Sequence, residues 1–84
     1  MSSVSSSAPL NNLDKYISWA GSLAQKVEQD SKTATSKGVI NDPSKFATAQ
    51  LQLEKSQLEF KNAVTIIKKM LDLMKEILQM FSSR

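Results

Sequence analysis

The chain of 84 residues contains no cysteine and no histidine. Without cysteine, no disulfide can staple a small fold. Without either residue, the usual zinc ligand sets are missing. The same two absences remove the commonest general base and the most reactive nucleophile. Glycine occurs only as Gly21 and Gly38, which leaves no glycine-rich loop to cradle a phosphate. The composition therefore argues against an enzyme, and the expected catalytic, metal and cofactor-binding residues are none. Arginine occurs once, at Arg84, and aromatic residues make up 6% of the chain. Nucleic-acid readers rely on arginine and on aromatic stacking platforms. The net charge of +3 is carried by scattered lysines, so it reads as a solvated surface and no nucleic-acid partner is expected.

An uninterrupted membrane span is missing too. The most apolar stretch, residues 60–81, carries Lys61, Lys68, Lys69, Asp72, Lys75 and Glu76. A lone span of about 20 residues could not take these across hydrocarbon, so no membrane insertion by the chain itself is expected. The opening residues, MSSVSSSAPLNN, lack the basic start and apolar core of a signal peptide. A chain of this length makes one domain at most, and such a domain is marginal unless association helps it.

What the sequence does have is concentrated in FKNAVTIIKKMLDLMKEILQMF. Phe60, Val64, Ile67, Leu71, Met74, Leu78 and Phe81 recur at alternating spacings of four and three, a heptad seam. Ala63, Ile66, Met70, Leu73, Ile77 and Met80 form a second seam beside it. At roughly 100° per residue the two merge into one apolar arc of about 200°. Lys61, Thr65, Lys68, Asp72, Lys75 and Gln79 lie on the opposite, polar face. A helix that packs once needs a stripe somewhat over ~100° wide. This one offers about twice that, so something must cover the second half.

The rest of the chain supplies only part of the cover. Residues 1–11 are Ser-rich and polar, expected to be flexible, with Asn11 or Asn12 as an N-cap. A helix is expected over 12–36, with a narrow stripe of Leu13, Tyr16 or Ile17, Ala20, Leu23 or Ala24, and Val27. Trp19 falls beside that stripe, either as a rim-packing aromatic or as an anchor for another chain. After Val27 the sequence turns polar, and Gly38 reads as a C′ stop. Residues 37–43 are expected to turn, with Asp42 as N-cap and Pro43 at the first helical position. The second helix then runs over 44–81 without glycine or proline. The expected fold class is all-α: an elongated, two-helix antiparallel hairpin.

The first helix has too few apolar positions to cover both seams. Leaving several Leu, Ile, Met and Phe side chains wet forfeits a few kcal/mol at ~25 cal/mol per Å². That is comparable to the whole stability of so small a domain. Association with further helices is therefore expected through Phe60, Ala63, Val64, Ile66, Ile67, Met70, Leu71, Leu73, Met74, Ile77, Leu78, Met80 and Phe81. A membrane-surface helix is the competing use of such an arc, but the acids on the polar face and the regular heptads favour helix–helix contact.

Several of these features together resemble a known family. They are the polar Ser-rich start, the Asp42-Pro43 turn between two helices, Gln50 seven residues after Pro43, and Leu53 three beyond it. The end is the most specific part: Asp72-Leu73-Met74, Ile77-Leu78-Gln79 and Phe81. The chain is similar to the needle subunits of bacterial type III secretion systems, of the Yersinia type. The resemblance covers residues 13–81 and is closest from Pro43 onward. It departs at Ser56 and Glu59, where many needle subunits carry aromatic residues.

The resemblance implies a structural protein whose helical hairpins polymerise into a hollow filament, the extracellular conduit for unfolded effector proteins. The C-terminal helix would line the channel, with Gln50, Lys61, Lys68 and Asp72 as lumen-facing candidates. The implied partners are the chain itself, cytosolic needle chaperones before export, the inner rod and tip proteins of the apparatus, and effectors in transit. The implied location is the bacterial cell surface and extracellular space, after a cytoplasmic stage. Inner rod subunits share the Asp-Pro and Gln pattern, and a helical-hairpin chaperone or adaptor would also bury a second seam. Both remain alternatives.

Overall fold

The computed structural model describes residues 2–82, with side chains described from Asn12 onward. Among them the chain is all-α. Helix α1 spans Ser2–Ala34, α2 is a single turn at Lys37–Ile40, and α3 spans Pro43–Ser82. The molecule is elongated, with extents of 63 × 28 × 13 Å and a radius of gyration of 19.0 Å. A compact globule of this length would have a radius of gyration of about 12 Å. The long axis is α3 itself, since 40 residues at about 1.5 Å each give about 60 Å.

α3 starts where turn chemistry places it. Asp42 Oδ1 accepts hydrogen bonds from the backbone N–H groups of Ser44 and Lys45, at 3.1 and 3.2 Å. Two of the otherwise unpaired donors of the first turn are thus satisfied. Pro43 occupies the first helical position, where its missing N–H costs nothing. With no glycine or proline after it, α3 runs unbroken to Ser82.

α1 differs from expectation at both ends. It begins at Ser2, so Asn11 and Asn12 lie within it rather than capping it. Residues 2–11, expected to be flexible, form its first turns; Met1 lies outside the described residues. Serine is only a middling helix former, but nothing in that stretch except Pro9 opposes a helix. Pro9 lacks the N–H that would bond the carbonyl of Ser5. At the other end, Gly38 is not a left-handed stop. No glycine has a positive φ among the described residues, and Gly38 sits inside α2. α1 is closed instead by hydroxyls. Thr35 Oγ1 donates to the Ser31 and Lys32 carbonyls at 3.0 and 3.2 Å, and Ser36 Oγ donates to the Thr33 carbonyl at 2.8 Å. The Ser31 and Thr33 carbonyls also accept the backbone N–H groups of Thr35 and Ser36, at 3.1 and 3.2 Å, so the hydroxyls add a second donor at the frayed last turn.

α1 and α3 pack side by side through small residues. Ala20 and Leu23 on α1 bury against Ala63 on α3, with Phe60 and Ile67 packed around them. Ser56 is fully buried, and its hydroxyl turns back to the Leu53 carbonyl at 3.0 Å. Ala34 is buried as well, the one buried residue of the polar run after Val27. Among the described residues, two polar contacts tie the helices together. Gln52 Nε2 donates to Asp30 Oδ2 at 3.4 Å, and Lys26 Nζ lies 3.8 Å from Glu59 Oε1. That oxygen is shut off from water and accepts no hydrogen bond. The pair is therefore a Coulombic contact between half-exposed side chains, worth at most about 1 kcal/mol.

Candidate functional site

The face that α1 occupies can be read along α3. Ala49, Leu53, Ser56, Phe60, Ala63, Ile67, Met70 and Met74 are buried or half-buried at alternating spacings of four and three. This column draws on both expected seams. Phe60, Ile67 and Met74 come from the first, and Ala63 and Met70 from the second. α1 thus packs on the middle of the broad arc rather than on one seam. Ala63 in particular is fully buried within the chain and offers nothing to a neighbour, contrary to its expected place at a subunit interface. The reason is size: Ala20, Ser56 and Ala63 allow the helices to approach closely, and approach is closest where side chains are smallest.

Packing on the middle leaves apolar residues on both sides. Leu71 and Leu78 remain exposed on one flank, and Ile66, Leu73 and Ile77 on the other. At the end of α3, Met80 and Phe81 are also exposed. Val64 is half-buried at the edge of the contact. Two further leucines, Leu51 and Leu58, are 67% and 59% exposed on the same flank as Leu73. Neither belongs to the two seams read from the sequence. Their signal was a spacing of seven that continues into Ile66 and Leu73 one residue out of step.

The four lumen candidates fall within about 40° of one another at ~100° per residue. Lys61, Lys68 and Asp72 are exposed and Gln50 is half-buried. Their face lies roughly 140° round α3 from the α1 contact by the same wheel. α1 adds an exposed aromatic pair. Tyr16 and Trp19 meet edge to face, with ring centroids 5.9 Å apart, and both remain more than a third exposed. With Asn12 and Lys15 they wall an open hollow of about 350 Å³. In the turn, half-buried Val39 borders an open hollow together with Thr48, Ala49 and Gln52, whereas Ile40 is exposed.

Such a surface can hold other helices. Among the described residues, no three acidic side chains gather as a metal would require. No helix among them is long and apolar enough to cross a membrane. A scan of protein-family models and searches of curated proteins and solved structures find no match to this chain.

Proposed function

We propose that the chain is a structural subunit that polymerises into the extracellular needle filament of a type III secretion system, forming the conduit for unfolded effector proteins. The observation that carries this reading is the pair of apolar flanks left open on either side of the α1 contact. In this reading α1 and α3 form an antiparallel two-helix hairpin. The contacts support it, because Asp30 meets Gln52, Lys26 meets Glu59 and Ala20 meets Ala63, in descending order on one helix and ascending order on the other.

Two distinct patches on one subunit favour heterologous contacts, which extend into rings or open helical assemblies instead of closing on a pair. The flank of Leu71 and Leu78 on one subunit covers the flank of Ile66 and Leu73 on the next. The polar face of Lys61, Lys68 and Asp72 then looks onto water, as a channel for unfolded chains needs. Before export, an open apolar flank calls for a cytosolic chaperone to cover it. After export, the subunit joins the inner rod at its base and the tip proteins at its far end, at the bacterial cell surface. The sequence resemblance at Asp42-Pro43, Gln50 and the C-terminal stretch supplies the identity of the apparatus.

Negative-stain electron microscopy of the purified chain, incubated at high concentration, tests the reading. Uniform thin, hollow filaments are expected. A closed particle of fixed stoichiometry, or a monomer that melts cooperatively at high concentration, would overturn it in favour of a chaperone or adaptor.

A further inference from the structure

The flank of α3 that holds Leu51, Leu58, Ile66 and Leu73 has an internal order that polymerisation does not require. These residues and Met80 lie within an arc of about 80° at ~100° per residue, roughly a third of a turn round from α1. Polar residues alternate with them on the same arc: Lys55, Asn62, Lys69 and Glu76. All are exposed. Neither Lys55 nor Glu76 has an ion-pair partner among the described residues.

The pattern mirrors itself about the point between residues 65 and 66. Under that reversal Leu58 falls on Leu73, and Leu51 on Met80. Lys55 falls on Glu76 and Asn62 on Lys69, while Ile66 lies beside the mirror point itself. A second copy of α3 laid antiparallel along this flank would therefore place leucine on leucine. It would also place an ammonium opposite a carboxylate at both ends, and an amide oxygen opposite each Lys69. A parallel copy in register would instead set Lys55, Lys69 and Glu76 each against its own like charge, which is costly when water is excluded. The stripe from 51 to 80 is about 44 Å long at ~1.5 Å per residue. Only a straight helix of similar length can cover it. The chain's own α3 has that length, and α1 is already engaged elsewhere.

We propose that two copies of this chain pair through this flank as an antiparallel, two-fold α3–α3 dimer, closed by Lys55–Glu76 contacts. The pairing is a different contact from the filament's, and it stands or falls without the filament. It covers Leu73 and Ile66 in a unit that cannot extend. A subunit held in it is kept out of any polymer that uses the same flank.

The absence of native cysteine makes the test direct, because each introduced thiol is the only one at its position. Disulfides form only between residues whose Cα atoms come within about 7 Å. In the full chain, Ile66→Cys alone is expected to cross-link to itself on mild oxidation. Leu58→Cys alone and Leu73→Cys alone are expected not to, while a mixture of the two links across. The double variant Leu58→Cys/Leu73→Cys should stop at covalent dimers. A ladder of higher oligomers, self-linking of the 58 or 73 variant alone, or no cross-link in any sample would overturn the proposal. Lys55→Glu should lower the cross-linked fraction several-fold, and adding Glu76→Lys should restore it; failure of that rescue would also overturn the pairing. Filaments without these cross-links would leave the conduit reading intact, whereas cross-links without filaments would leave only the dimer.

Discussion

Leu78 is a position at which folding and assembly should separate. It is 66% exposed within the chain, whereas Leu23 is 9% exposed. Full burial of a leucine side chain stabilises by about 1.5–3 kcal/mol. Roughly two thirds of that, about 1–2 kcal/mol, is therefore still to be gained by Leu78 when a neighbour covers it. Leu78→Asp forfeits the gain and adds the cost of burying a carboxylate with no partner, several kcal/mol more. Each 1.4 kcal/mol is about tenfold in an equilibrium constant, so the concentration needed for polymerisation should rise by well over tenfold. The unfolding of the unassembled subunit should hardly change, because the carboxylate stays in water there. Leu23→Asp should do the reverse and destroy the α1–α3 contact first. The assay is paired: sedimentation of polymer against total concentration, and circular-dichroism melting at a concentration below assembly. If Leu78→Asp polymerises as the parent does, the exposed flank is not a subunit contact. If it lowers the melting temperature as much as Leu23→Asp does, the division between the α1 contact and the exposed flank is wrong.

Three further substitutions probe how the fold is built. Asp42→Ala removes the acceptor for the Ser44 and Lys45 N–H groups and should cost about 1 kcal/mol. For a domain of this size that lowers the melting temperature by about 4–8 °C. Ser56→Phe forces a large ring into the fully buried contact between α1 and α3; a loss of about 1–3 kcal/mol is expected in urea unfolding. Gly21→Ala should stabilise by about 0.5–1 kcal/mol, because a Cβ there meets nothing within 4 Å and the backbone φ is not positive. A drop in melting temperature for Gly21→Ala would mean that the added methyl meets a neighbour, against the open space around that position.

The long helix and its start were legible in the sequence because each rests on local chemistry. The run after Pro43 has no breaker, and Asp42 caps with its own side chain. The packing was less legible. Periodicity counts large apolar residues, so it found two seams and a broad arc. It could not tell which column within the arc α1 would choose, because that depends on Ala20, Ser56 and Ala63, which add little to an apolar pattern. Ser56 and Glu59, read first as departures from a family pattern, lie at the contact with α1. The polar end of α1 carries a related lesson: Ala34 is buried there and Asp30 reaches Gln52, and neither stands out in an apolar pattern. The exposed leucines at 51 and 58 escaped because a mixed polar and apolar column carries no clean amphipathic signal, although its mirror order is visible once the face is known to be bare.

The unbroken course of α3 has a mechanical side. Sharp bends in helices arise at proline, glycine or inserted groups, and between Ser44 and Ser82 the chain has neither proline nor glycine. α3 is a beam with no joint. The break in the helical course is the elbow at residues 35–42, where one helical turn is flanked by short links. α1, docked along α3 at Ala20 and Leu23, braces the beam on one side, so a bend in α3 would have to open that contact.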